Sequence, residues 1–279
     1  MSEIDLKGRV AIVTGGSRGM GREMADAIIE AGGRAALMTP EADELAATVE
    51  EIAFHQGADR VMALPYDISD YGQCERAVAD TIKTFGALHG VVNNAALGQL
   101  NVIAPGAEDT NCRFFEADPA RWAQVIRVNV LGTYHMCRAA VVPLKEQGWG
   151  RIVNVTTSLG TMQRSGNSPY GPSKGAIESE TLVFAADLDG SGVTVNSLIP
   201  GGAARTKFVP EAYLTTRKLV DPSVIRAPIV WLFSDLSDGL TGGRYVANRW
   251  DHTANDPGLA ARAALEEPVF NAAPEGRLD

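Results

Sequence analysis

Short apolar runs alternate with longer amphipathic stretches along nearly the whole chain. Arg9–Thr14, Arg34–Met38, Val61–Leu64, Leu88–Asn93, Arg151–Thr156, Val193–Leu198 and Arg244–Ala247 read as strands. Between them, periods near 3.6 predict helices over Gly19–Ala31, Glu41–His55, Tyr71–Phe85, Pro119–Glu146, Pro169–Leu188 and Pro222–Phe233. Strands that alternate with helices must pair in parallel, because each crossover returns the chain in the same direction. The runs RVAIVT and GRIVNV carry few polar residues, as strands covered on both sides should. The pattern predicts one α/β domain, a doubly wound parallel sheet of about seven strands with helices on both faces. Ligands in such sheets bind at the carboxyl ends of the strands.

Beyond His252 the chain is rich in Ala, Glu and Pro and has no clear element. The domain is therefore read as residues 1–252. Residues 253–279 form a frayed tail or an arm that packs on a neighbouring subunit.

Composition changes this picture little. Of the 279 residues 45% are hydrophobic and 21% charged, ordinary values for a globular protein. A net charge of -9 disfavours nucleic acid and anionic membranes as the main partner, although local backbone amides can still hold a phosphate. No apolar run approaches the length of a membrane span, and the first residues lack the basic end and apolar stretch of a signal peptide. Cys74, Cys112 and Cys137 form no ligand-like pair, which predicts a reducing, cytoplasmic setting. His55, His89, His135 and His252 show no ligand spacing either, so no metal is expected.

Chemistry first enters at TGGSRGMG, Thr14 to Gly21, where the first strand gives way to the first helix. Gly15 suits the tight turn, Gly19 lets a pyrophosphate approach the backbone, and Gly21 lets the helix close on the sheet. The helix N-terminus adds free amides and a favourable dipole, with Ser17, Arg18 and Met20 beside it. The acidic residue that grips the ribose of NAD is expected about 20 residues on. That position reads Met38-Thr39-Pro40, while Arg18 could face a 2′-phosphate. Arg18 and Thr39 favour NADP(H) over NAD(H), with Glu41 and Asp43 close enough to act the other way.

Tyr170 and Lys174 are four apart near the start of a helix and share a face. A lysine ammonium beside a phenol favours the phenolate and would make Tyr170 a usable acid or base. Pro172 lies between them, tolerable if the helix begins near Pro169.

With these motifs in order, together with Asp67, NNAA (Asn93–Ala96), Asn129, the NVTTS strand end, Tyr170-Gly-Pro-Ser-Lys174 and PGG (Pro200–Gly202), the chain resembles the short-chain dehydrogenase/reductase family from about Leu6 to Gly243. The resemblance implies a single-domain Rossmann-type fold and hydride transfer between a nicotinamide and a carbonyl or secondary alcohol. It makes Tyr170 the general acid/base, and Lys174 a partner that also binds the nicotinamide ribose. Asn129 would hold a water in a proton relay. Asp67, with Ile68, would hold the adenine edge; Asn94 and Ala95 would lie beside the cofactor ribose; Pro200, Gly201 and Thr206 would cover the nicotinamide side. It also implies a homotetramer or homodimer.

Three departures qualify the match. The substrate-orienting hydroxyl, usually serine 13 positions before the tyrosine, falls on Thr157, with Ser158 as its neighbour. Ala96 replaces a glycine. The stretch 97–115, with Pro105, Asp109, Asn111, Cys112 and Arg113, is about ten residues longer than the family pattern and is expected to border the substrate pocket, as is 201–217. Two other readings stay open: a catalytically idle dinucleotide-binding sensor or scaffold, and an epimerase or dehydratase with transient hydride transfer.

Overall fold

The structure is a computed structural model that describes residues 4–103, 112–209 and 218–270. Seven parallel strands run in the spatial order β3-β2-β1-β4-β5-β6-β7: β1 (Val10–Thr14), β2 (Arg34–Met38), β3 (Val61–Leu64), β4 (Gly90–Asn93), β5 (Gly150–Val155), β6 (Val193–Ile199) and β7 (Arg244–Val246). Strand order reverses between β1 and β4, which opens a crevice at their carboxyl ends.

Helices cover both faces: α1 (Gly19–Glu30), α2 (Ala42–Gln56), α3 (Tyr71–Phe85), α4 (Pro119–Ile126), α5 (Gly132–Glu146), α6 (Leu159–Met162), α7 (Tyr170–Asp187) and α8 (Arg226–Leu232). Alternate strand residues feed two cores. Ala11, Val13, Val92 and Val153 pack with Met24 and Ile28 of α1 and Ile229 of α8, whereas Ile12, Val91, Ile152 and Val195 pack with Ala77 of α3 and Met136 of α5. Each large buried aliphatic side chain contributes about 2 kcal/mol of transfer free energy.

Local signals explain the helix limits. Asp70 caps α3 by accepting from the Gln73 amide at 3.0 Å, and Gly86 ends it in the left-handed region. The long helix expected over Pro119–Glu146 is interrupted at Arg127–Leu131 by one π turn, which joins α4 to α5 without a break in direction.

Of the segment 253–279, read as a tail or intersubunit arm, residues 257–266 fold onto the domain itself, and 271–279 lie outside the described residues. Asp256 caps α9 (Pro257–Ala264), which buries Ala260, Ala261 and Ala264 in the same core as Trp231, Tyr245 and Trp250. The two residues of β8 (Leu265–Glu266) then pair antiparallel with β7, making an eight-stranded sheet. Three alanines and a two-residue strand are too slight a pattern to read from periodicity; the waiting aromatic surface gives them their place.

Candidate active site

Where β1 ends, Thr14 ties the two strands of the crevice together. Its hydroxyl accepts from the Asn94 and Ala95 amides at 3.0 Å each and donates to the Val92 carbonyl. The Asn94 side-chain amide donates to the carbonyls of Thr14 (3.0 Å) and Gly15 (3.2 Å). Gly15 turns the chain at φ 61°, and a Cβ on Gly21 would lie 2.1 Å from the Gly15 carbonyl oxygen. The glycine turn is therefore braced by Asn94, and α1 lies against it as closely as a backbone can.

Arg18, at the N-cap of α1, offers no side-chain cap, so the first-turn amides are free of a side-chain acceptor. This cradle suits the phosphates of a dinucleotide. The half-exposed Arg18 guanidinium pairs with Glu44 at 2.8 Å, and the Ser17 hydroxyl donates to the same carboxylate at 2.7 Å. These contacts, Ser17 first, hold the Glu44 carboxyl below its ordinary range.

A cleft of about 1450 Å³ follows the carboxyl ends of the strands, more room than one small molecule needs. Its walls carry Gly15, Arg18, Gly19, Met20, Thr39, Asp67, Ile68, Asn94 and Ala95 on one side. Thr157, Tyr170, Lys174 and Pro200 stand on the other, and Thr206 lies against Gly19, where an added Cβ would meet its Cγ2 at 3.1 Å. Four expected residues lie off this wall. Ser17 is turned to Glu44, Gly21 is packed under the turn, Gly201 borders a smaller cavity against Asn248, and Asn129 is buried behind the cleft. Asp67 accepts from the Ser69 amide at 2.8 Å, and capping of α3 falls to Asp70. The Thr39 hydroxyl donates to Glu41, a second carboxylate on the wall.

Tyr170 opens α7 and Lys174 follows one turn later, with Pro172 in the first turn as its ring requires. Burial pushes the Tyr170 phenol up to about 12, opposed by the Thr157 side chain and then by the Arg164 charge. Lys174 is brought down to about 8 by burial, which the Glu178 charge opposes. The lysine ammonium donates to the Val155 carbonyl at 2.7 Å and sits 5.9 Å from the phenol ring centroid, which anchors it to the end of β5 beside Tyr170. Ser158, adjacent to Thr157, caps α6 by accepting from the Thr161 amide at 3.3 Å.

Asn129 lies within the π turn. Its side-chain Oδ1 accepts from the Leu97 amide at 2.8 Å, and its Nδ2 donates to the Leu97 carbonyl (3.0 Å) and the Ser173 hydroxyl (2.9 Å). It thereby fastens the chain leaving β4 to α7. Leu97, Gln99 and Leu100 begin the long stretch and line the cleft. Pro105, Asp109 and Asn111 lie outside the described residues, and Cys112 and Arg113 stand off the wall. Two wall residues carried no signal in the sequence. Phe208, after the Pro200 turn, sets its ring 5.5 Å from that of Tyr170, and Arg164 approaches from the α6–α7 connection. An isolated Phe or Arg in a loop has no periodicity or spacing to mark it.

Among the described residues no three metal-ligating side chains cluster, and no helix is long and apolar enough to cross a membrane. A doubly wound sheet, a glycine turn at its switch point suited to phosphates, and a tyrosine, lysine and hydroxyl in the same cleft are the features of a nicotinamide-dinucleotide oxidoreductase. Residues 9–215 match the family described as short chain dehydrogenase, and the chain belongs to that family. Over 247 residues it is 30% identical to the 3-alpha-(or 20-beta)-hydroxysteroid dehydrogenase of Mycobacterium tuberculosis, covering 87% of this chain and 89% of that one. It is 28% identical to the acetoacetyl-CoA reductase of Rhizobium meliloti over 250 residues (86% and 97% of the two chains). With the 2-(R)-hydroxypropyl-CoM dehydrogenase of Xanthobacter autotrophicus it shares 36% identity over 196 residues, 69% and 74% of the two chains. The protein is an NAD(P)-dependent oxidoreductase acting on CH–OH and C=O groups.

Proposed function

We propose that Tyr170 is the general acid/base of a carbonyl–secondary alcohol interconversion, with Thr157 orienting the substrate oxygen. The observation that carries this reading is that Thr157, Tyr170 and Lys174 line one cleft together with the glycine turn that suits a dinucleotide's phosphates. A bound nicotinamide dinucleotide supplies or accepts the hydride. Tyr170 gives its proton to the substrate oxygen in reduction and takes one in oxidation. Thr157 donates its single hydroxyl hydrogen to that oxygen. Lys174, with its pKa near 8, holds an exchangeable proton one helical turn away and can bind the ribose nearest the reacting carbon. Asn129 acts by position, its side chain committed to Leu97 and Ser173 so that it fixes the start of α7 and the chain leaving β4. Phe208 and the start of the long stretch line the substrate side. Residues 97–115 and 201–217 serve as substrate loops of one nucleotide-binding domain that functions in the cytoplasm as a homotetramer or homodimer.

The experiment is a pair of titrations and one substitution. Calorimetry should give micromolar binding of a reduced nicotinamide dinucleotide. Tyr170→Phe should keep that affinity while losing about a thousandfold or more in kcat on a carbonyl and alcohol panel. Retained turnover in Tyr170→Phe would remove Tyr170 from this role.

Arg18 and Thr39 support NADP(H) over NAD(H): a guanidinium stands at the cleft mouth, and the end of β2 carries a hydroxyl where a carboxylate would hold a free ribose diol. Glu41 and Glu44 oppose this by their charge, so the balance rests on whether Arg18 leaves Glu44 for a 2′-phosphate. Arg18→Ala should weaken NADPH by about tenfold and leave NADH nearly unchanged, and Glu41→Gln should improve NADPH alone. NADH binding that weakens as much as NADPH in Arg18→Ala would refute the assignment.

A further inference from the structure

We propose that Glu266 of the C-terminal strand is a positioning residue for Thr157, acting through the buried Arg244. This rests on the reading above that Thr157 orients the substrate oxygen.

The sheet ladder does not hold Thr157. β5 ends at Val155, and the last ladder bond on this side runs from the Thr156 amide to the Leu198 carbonyl at 3.1 Å. α6 does not begin until Leu159. Across that gap the Thr157 carbonyl accepts a hydrogen bond from Nη2 of Arg244 at 2.9 Å. Arg244 lies on β7, 87 residues away in sequence, and is 2% exposed.

The rest of the guanidinium is also committed. Nε meets Oε1 of Glu178 at 3.2 Å, and the same carboxylate oxygen accepts from the Thr156 hydroxyl. Nη1 pairs with Glu266, which antiparallel register sets directly opposite Arg244, and the second Glu266 oxygen meets Arg249 at 2.9 Å. A planar fork with all three nitrogens engaged has little freedom to rotate. Burying such a charge is costly, and the directional bonds it makes fix the groups it touches. The group it fixes nearest the cleft is the backbone of Thr157. Glu178 ties the same network to α7, one turn beyond Lys174, whose protonation it favours.

The C-terminal strand therefore acts as a latch. Without the Glu266 carboxylate, Arg244 keeps Glu178 but loses the contact that stops its outer nitrogens from swinging. The hydroxyl of Thr157 then samples positions away from the substrate oxygen, while the glycine turn elsewhere in the cleft is untouched.

The test uses the full chain with Glu266→Ala and Glu266→Gln, and Thr157→Val alongside. Glu266→Ala should lower kcat by about tenfold or more, as small misplacements of reacting groups do, with dinucleotide affinity changed by less than about twofold. Amide exchange over residues 156–162 should quicken in the same variant. Glu266→Gln, which keeps an acceptor opposite Nη1, should lie nearer the wild type in both. Should Glu266→Ala fail to fold, Glu266→Asp retracts the carboxylate by one methylene and is read the same way. A folded variant with wild-type kcat and wild-type exchange over 156–162 overturns the latch. If Thr157→Val retains kcat, the orienting role of Thr157 falls, and the exchange measurement still decides whether Glu266 holds that backbone.

Discussion

On α7, Tyr170 and Glu180 both keep their protons beyond the ordinary value, because burial removes the water that would solvate either anion. The two differ in what surrounds them. Thr157 and Arg164 partly offset the penalty at Tyr170. Glu180 is raised to about 7 by burial alone, with one carboxylate oxygen lacking a hydrogen-bond partner. Arg164→Ala should therefore move the basic limb of the kcat–pH profile to higher pH, since an opposing charge is lost; an unmoved limb would show that Arg164 does not reach the phenol. For Glu180 the folded pKa lies above the unfolded one, so its contribution is intact below about pH 4.5 and is lost as pH climbs through about 7. Glu180→Gln should match the wild type near pH 4.5 and exceed it above pH 7 by on the order of 2 kcal/mol in urea unfolding. Equal stabilities at pH 8 would mean that the carboxylate finds water or a cation.

At the scale of elements, the glycine turn and the start of α1 behave as one unit with the end of β4. Asn94 clamps the Thr14 and Gly15 carbonyls, and Gly21 packs where a Cβ would meet backbone at 2.1 Å and the Asn94 amide at 2.6 Å. Neither contact can yield without moving the turn. Gly21→Ala should cost at least about tenfold in dinucleotide affinity, measured by calorimetry on protein whose circular dichroism shows it folded. The motif itself was legible because its spacing is local. Asn94 was also visible in the sequence, beside the cofactor ribose, but its clamp on the turn depends on a contact across 80 residues. The π turn around Asn129 is a similar case: the residue could be named, but its grip on Leu97 and Ser173 depends on how three segments meet.

For the whole molecule, α9 and β8 complete the core. Ala260 is fully buried in the cluster that holds Trp231, Tyr245 and Trp250, so Ala260→Asp should destabilise the protein by about 3 kcal/mol or more. The measurement is the midpoint of thermal unfolding, and a shift of less than a degree or so would show that this helix is dispensable. Docking of this segment also closes the β7 edge that would otherwise present unpaired backbone.

The sequence by itself determined the alternation of strands and helices, the parallel sheet, the glycine turn after β1, and the placement of Tyr170 and Lys174 on one helical face. These depend on hydrophobic period and short spacings, which a linear chain displays directly. Tertiary structure decided the electrostatics: Lys174 turned to Val155, Tyr170 raised by burial, and Arg18 engaged by Glu44. It alone brought Arg244, Glu178 and Glu266 together behind Thr157. Burial and ion pairing arise between segments far apart in the chain, and no local pattern in the sequence encodes the distance between them.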